Sequence, residues 1–179
     1  MTPFSHRLAR QADIPAIAEL MARAIAELQA AFLSPEQIAA SAESMGLDTQ
    51  LIDDGTYFLV ETDGVLAGCG GWSRRATLYG GNHAADLRDD RLLDPTREAA
   101  RVRAMYTDPG YARRGVGRLI LALCEDAARV GGFARLELMA TAAGEPLYAA
   151  CGYRVIERIA RLSANGVAVP GAVMTKELV

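Results

Sequence analysis

Apolar residues at Ile14, Ile17, Met21, Ile25 and Leu28 recur at helical spacing and predict one amphipathic helix early in the chain. Asp13 stands before this run as a candidate N-cap, with Pro15 in the first turn behind it. A strand-like segment, "FSHRLAR", precedes the helix. A second helix is predicted in "SPEQIAASAES": Ser34 as cap, Pro35 at the first helical position, and Gln37 three residues after the cap, the spacing of a capping box. Two extended runs follow, "TYFLVET" and "GVLAGCGGWSR". Asp63-Gly64 lies between them, a pair that favours a tight hairpin turn. Gly68, Gly70 and Gly71 in the second run predict a bulge or a close approach of another backbone.

Residues 76 to 97 carry no clear period and are broken by Gly80-Gly81-Asn82, Asp89-Asp90 and Asp94-Pro95. A loop of this length is either functional or a surface excursion. "AARVRAMYT" is a fourth extended run. Val116, Leu119, Ile120, Leu123 and Ala127 then mark a helix stripe that stops at Gly131-Gly132. "FARLELMA" alternates as a strand. "TAAGEPLYAACG" is a short helix ending at Gly152, and "YRVIERIARL" with "VAVPGAVMTKEL" forms a closing hairpin around Asn165-Gly166. About seven strands and about four helices make a mixed α/β layer. No internal repeat breaks it, so a single domain over residues 1–179 is expected.

Composition narrows the classes. A net charge of −3 over 179 residues gives no global attraction to nucleic acid, although a local basic spot remains open. Cys69, Cys124 and Cys151 are odd in number and far apart, which argues against a zinc site or a disulfide framework; no metal is expected. Reduced thiols suit a cytoplasmic setting. No apolar run approaches the roughly 18 residues that span a membrane, and "MTPFSHRLAR" lacks the apolar core of a signal peptide.

The chemistry is concentrated in "YTDPGYARRGVGRLIL", residues 106–121, where two arginines and two glycines stand at the start of a helix. Helix N-termini present unpaired N–H groups and partial positive charge. Gly115 and Gly117 would let a ligand come close to those donors, because no Cβ intervenes. Arg113, Arg114 and Arg118 add full charges. Such a turn suits a phosphate, and best a diphosphate. It is not a P-loop, since G-x-x-x-x-G-K-[ST] is absent. A dinucleotide fingerprint would need a glycine where Ile120 stands, although Glu137 falls near the distance of its acidic ribose ligand.

The stretch "MYTDPGYARRGVGRLIL" resembles the acyl-CoA loop of the GNAT superfamily of acetyl-CoA-dependent N-acetyltransferases, whose signature is Gln/Arg-x-x-Gly-x-Gly/Ala after a strand and a proline. Gly115 and Gly117 match its two small positions, and Ala112 replaces its Gln or Arg. Downstream, "GEPLYAACGYRVIER" is similar to the family's tyrosine-helix-Gly-aromatic segment: Tyr148 falls on the tyrosine and Gly152-Tyr153 on the following pair. Thr141 lies where many members carry Asn. The order of elements fits from about Phe4 to Leu178.

The resemblance implies a central, mostly antiparallel sheet with helices on both faces, in which the fourth strand splays from the fifth. The backbone of Met105, Tyr106 and Thr107 would then hold the pantetheine arm of acetyl-CoA and polarise its carbonyl. The N–H groups from Arg113 through Gly115, Val116 and Gly117 to Arg118 would take the diphosphate, with Arg113, Arg114 or Arg118 reaching the 3′-phosphate and Thr141 near the arm. Tyr148 would donate to the leaving thiolate. The acceptor would be the amine of a small molecule or peptide; the rival reading is a non-catalytic acyl-CoA sensor on the same fold. For the base, Glu61, Glu98, His83 and relayed water are all open. Phe32, Trp72, Tyr79 and His83 are candidates for the acceptor site, Trp72 being otherwise a half-buried aromatic. Arg101 and Arg103 are either a solvated strand face or an attraction for an acidic acceptor. A homodimer is the assembly common in this family.

Overall fold

A computed structural model describes residues 3–178; positions 1, 2 and 179 of the expected 1–179 domain lie outside the described residues. Seven strands form one sheet: β1 (Ser5–Leu8), β2 (Tyr57–Thr62), β3 (Val65–Ser73), β4 (Ala100–Thr107), β5 (Arg135–Thr141), β6 (Arg154–Leu162) and β7 (Ala168–Glu177), in the order β1-β2-β3-β4-β5-β7-β6. All neighbours are antiparallel except β4 and β5. The β2–β3 connection turns at Asp63 and Gly64, both at positive φ (50° and 75°), as a two-residue hairpin with right-handed twist requires. The β6–β7 hairpin closes through Ser163 and Val167, with Gly166 at φ 78°.

Helices cover both faces. On one, α1 (Ile14–Leu28) buries Ile17, Leu20, Met21 and Ala24 over Tyr57, Leu59 and Cys69 of the sheet. On the other, α4 (Val116–Val130) buries Val116, Ile120, Leu121, Cys124 and Ala128. The stripe read from the sequence is therefore turned: Leu119, Leu123 and Ala127 are only half-buried, and Leu121, Cys124 and Ala128 take their place at the sheet. The glycines of β3 explain how α4 lies so close. A Cβ on Gly68 would stand 2.4 Å from Val116 Cγ1, and one on Gly70 would stand 2.7 Å from Ile120 Cγ2. Both expectations for these glycines hold, since the β3–β4 register also shifts between Cys69 and Gly71.

The capping box of α2 (Pro35–Ser41) forms as predicted: Gln37 N–H donates to Ser34 Oγ at 3.2 Å, and Ser34 N–H to Gln37 Oε1 at 3.0 Å. Asp13 differs. Its carboxylate does not cap α1 but accepts from Arg10 N–H and from the Arg7 guanidinium, two bonds of 2.8 Å, because a 3-10 turn (Gln11–Asp13) precedes the helix. Among the described residues there are five α-helices, where the sequence predicts about four. The extra one, α3 (Thr49–Asp53), is a single capped turn in which Asp48 Oδ1 accepts from Gln50 N–H, too short to show a period. The short α5 (Glu145–Ala150) follows β5. The 76–97 loop is tied back by Thr77 and Asp89, whose backbones and the Thr77 hydroxyl bond each other, and by Arg75 on Asp54 at 2.7 Å.

Candidate active site

The parallel pair β4–β5 is short. Ala100 faces Leu136 and Arg101 faces Glu137, and beyond them the strands part. Arg101 closes the apex of this wedge on Glu137 at 2.6 Å. Glu137 is thereby engaged by an arginine and not presented as a ribose ligand, and Arg101 is not a free strand face. Further along, Met105, Tyr106 and Thr107 form one wall and Met139, Ala140 and Thr141 the other. Between them runs a cleft of about 840 Å³, within the usual range of small-molecule sites.

Three features keep β4 out of β5's reach. Ala104 adopts a left-handed φ of 50°, which bends the strand. The Tyr57 hydroxyl donates to the Ala104 carbonyl at 2.7 Å, and the Tyr106 hydroxyl accepts from Gly46 N–H at 3.0 Å. Burial pushes both phenols upward, so each remains neutral and bound in place.

At the outer end of the wedge the chain turns into α4. The Asp108 carboxylate accepts from Gly110 N–H at 2.8 Å and pairs with Arg23 of α1, tying the turn to the opposite face of the sheet. Sequence reasoning gave Asp108 no role. Arg113 and Gly115 both take left-handed φ, 63° and 90°, and Gly115 is the residue at which the helix begins. The N–H groups of Val116, Gly117 and Arg118 belong to the first turn and have no intrahelical acceptor. Among the described residues no backbone acceptor meets those of Arg113, Arg114 and Gly115 either.

The two glycines serve different needs. Gly115 has open space around a Cβ and is required for its φ. Gly117 instead sits in close packing with α5: a Cβ there would lie 2.8 Å from Leu147 Cδ2, which would have to shift. Arg113, Gly115, Val116, Gly117 and Arg118 line the cleft; Arg114 instead lies over the Tyr111 ring, 5.0 Å from its centroid.

Tyr148, on α5, which follows β5, is another part of the wall. Its ring meets Tyr153 edge-on at 6.0 Å and only 9% of the residue is exposed, yet it is part of the cleft wall. Burial, reinforced by the nearby Cys124, Tyr106 and Cys151, pushes its phenol well above the ordinary tyrosine range. Tyr148 is therefore a neutral hydrogen-bond donor. Thr141 also lines the cleft, and its Oγ1 accepts from Gly144 N–H at 3.1 Å, shaping the entry to α5. Glu145 sits in the first turn of α5 and pairs with Arg158 at 2.8 Å.

The rest of the cleft is walled by the end of α1, α2 and the residues after it, the start of the 76–97 loop, and the β6–β7 hairpin. Phe32 and Tyr79 line it. Trp72 does not: it is buried against Phe133, with centroids 6.1 Å apart, and Arg74 lies over its outer face. His83 is also outside the wall, its Nε2 2.8 Å from the Ala42 carbonyl oxygen. Neither glutamate considered as a base is in the wall. Glu61 is held by Arg7 at 2.9 Å and Glu98 by Arg91 at 2.8 Å, and the latter contact keeps Glu98 at about 2. Arg103 is not a solvated strand residue. It is buried on Asp48 at 2.7 Å and donates to the Gly80 carbonyl. The sequence also passed over Gln29 and Arg161, which belong to this half of the wall.

Solved structures share this architecture. A GCN5-related N-acetyltransferase of Rhodopseudomonas palustris matches at 22% identity and a TM-score of 0.71, over 99% of this chain and 97% of that chain. YncA of Salmonella typhimurium, a structure with acetyl-CoA, matches at 21% identity and 0.64, over 98% and 94%. The PaiA N-acetyltransferase of Thermoplasma acidophilum, in complex with coenzyme A, matches at 13% identity and 0.64, over 98% and 99%. No curated protein matches the sequence. The family model of the GNAT acetyltransferases matches residues 21–153, the span that carries β4, the turn into α4 and Tyr148. The chain belongs to the acetyltransferase (GNAT) family.

Proposed function

We propose that the chain acts as a single N-acetyltransferase domain that moves an acetyl group from acetyl-CoA to an amine by direct attack. One observation carries the reading: the parted β4 and β5 make a groove whose wall holds both free helix N-terminal donors and a neutral buried phenol. The residues present fit the coenzyme. Glycine at 115 and the left-handed turn expose the N–H groups of Arg113 to Arg118 to a diphosphate, and Arg113 and Arg118 bring charge to the same wall. The structural neighbours bound to coenzyme A or acetyl-CoA support the same assignment.

Bound acetyl-CoA would supply an activated thioester, which a neutral amine attacks with formation of the amide and release of the thiol. The backbone of Met105, Tyr106 and Thr107 lines the groove where a polarising N–H is needed. Tyr148 stabilises the leaving sulfur by donating a hydrogen bond. A buried phenol far less acidic than a thiol near ~8.5 does not hand over its proton outright.

Amine deprotonation has no dedicated side chain, because among the described residues no carboxylate or imidazole lines the cleft. The cleft itself lowers the ammonium pKa by desolvation and by the nearby arginines, and the proton leaves to water. The test is acetyl-CoA-dependent thiol release with a panel of amines, on wild type and on Tyr148→Phe. The variant is expected to fold normally and to turn over ~10²–10⁴ times more slowly. Unchanged turnover would remove Tyr148 from the chemistry, and a protein that fails to bind coenzyme A would end the reading.

A further inference from the structure

Four charged side chains line the cleft, and all are arginines: Arg103, Arg113, Arg118 and Arg161. Among the described residues no acidic group faces them from the wall. Arg113 and Arg118 flank the helix start, where the coenzyme's phosphates belong. Arg103 is nearly fully buried and its guanidinium is already engaged, by Asp48, which it shares with Arg88, and by the Gly80 carbonyl. Arg161 is different. It projects from β6 beside Ile159, opposite Val169 of β7, into the half of the cleft away from the α4 turn. Its one carboxylate contact is Asp86, at 3.2 Å through Nη2, and that carboxylate is two-thirds exposed. Its Nε is buried and has no hydrogen-bond partner. A single contact to so exposed a carboxylate is weak. Tyr79 also lies beside the guanidinium, yet its Nε stays without a partner, and a buried unpaired donor is costly.

The surroundings are apolar. Ile25, Leu28, Phe32, Leu78, Ile159 and Val169 share the wall with Arg161. Such a surface rejects a polycation twice over, by desolvation and by like charge. It accepts an apolar body that carries one anionic group, which the planar guanidinium binds well.

We infer that the acceptor is an amine bearing a carboxylate on an apolar body, of the size of an apolar α-amino acid, with Arg161 holding the carboxylate. The inference rests on the acetyltransferase reading of the same cleft. Arg161 is a specificity residue here, and the transfer chemistry is the one given above: the N–C bond forms, the C–S bond breaks, the amine proton leaves to solvent, and the departing thiolate takes up a proton from solvent.

The experiment compares L-leucine and L-phenylalanine with leucinamide, phenethylamine and spermidine. Calorimetry in the presence of coenzyme A reads binding, and thiol release from acetyl-CoA reads kcat/KM. Wild type is expected to prefer the acids over the carboxylate-free amines by about 10- to 100-fold, the range of a charged hydrogen bond, and to show the least activity with spermidine. Arg161→Met, which keeps the apolar stem, is expected to raise the KM for the acids and to collapse the acid-to-amide ratio. The assignment is overturned if wild type binds the amides or spermidine as well as the acids, or if Arg161→Met keeps the ratio. The wild-type ratio decides alone should the variant misfold. Failure of coenzyme A itself to bind would strike the acetyltransferase reading, whereas normal coenzyme binding with an indifferent ratio sinks only the carboxylate.

Discussion

The contact between β3 and the first turn of α4 makes Gly68→Ala an informative change. The new methyl would lie 2.4 Å from Val116 Cγ1, 3.1 Å from Ile120 Cδ1 and 3.1 Å from the Tyr106 carbonyl. Carbon atoms rest about 3.5–4.0 Å apart, so Val116 must retreat by more than an ångström. Its side chain is 1% exposed and has one strongly preferred rotamer in a helix, so the helix start moves rather than the methyl group. Overpacking costs about 1–3 kcal/mol, offset by about 0.4–1 kcal/mol of lost freedom in the unfolded chain. Taking a net 1–2 kcal/mol, the melting temperature falls by about 2–8 °C. Val116 is the first helical residue, so the same displacement carries the N–H groups of Val116, Gly117 and Arg118 out of place. Coenzyme A should bind about tenfold more weakly. Urea denaturation and calorimetry on Gly68→Ala, Val116→Ala and the double variant measure both effects. The double variant should be more stable than the two singles add up to by about 1 kcal/mol, since truncating Val116 vacates the clash. Wild-type stability and coenzyme affinity in Gly68→Ala, with no coupling to Val116, would refute the packing argument.

Two further outcomes follow from the charges. The pH dependence of acetyl transfer should rise as the acceptor loses its proton and then stay level to at least about pH 10, because burial holds Tyr148 neutral; a descending limb below that pH that disappears in Tyr148→Phe would contradict it. The Arg7 guanidinium holds Asp13 at about 2, below its ordinary carboxylate value, so Asp13 stabilises the fold above about pH 4 and loses that contribution as pH falls through about 2. Asp13→Asn should therefore cost about 1 kcal/mol at pH 7, after allowance for the partly exposed Arg7, and only a small fraction of that at pH 2 by chemical denaturation.

The parts of the fold visible in the sequence are those decided by neighbours along the chain. Asp63-Gly64 and the Ser34–Gln37 box depend on backbone geometry over two to four residues, and both form as predicted. Asp13 has the residue type of a cap, but it ends a 3-10 turn whose Arg10 N–H claims its carboxylate, and no local periodicity marks that turn. The buried face of α4 is turned from the stripe of large apolar residues, because Cys124 and Ala128 fit closely against the sheet and glycines far upstream in β3 decide which face can approach. In the site, the anion-binding turn and Tyr148 were legible as local motifs. Trp72 was not, since its neighbour Phe133 lies 61 residues on and the contact is tertiary. Arg161 left no local signal either. A strand pattern gives alternation, but not which side of the strand opens onto a cleft.

The cleft itself follows from how the two parts of the sheet are fastened. β5 pairs with β7 along its whole length, from Arg135 opposite Glu177 to Thr141 opposite Gly171, so it is committed to the β6–β7 hairpin. β4 is committed to β3, to Tyr57 through the bent Ala104, and to the 46–48 segment through Tyr106 and Arg103. Each partnership fixes a direction, and the two directions agree only at Ala100–Arg101. Closing the gap would break the bonds on one side to make those on the other. Strand edges inside such a gap still need polar partners. An extended arm that carries amides at intervals, lying between β4 and β5 like a strand, satisfies both edges without moving either, which is why a wedge held open by its own sheet is suited to a ligand of that shape.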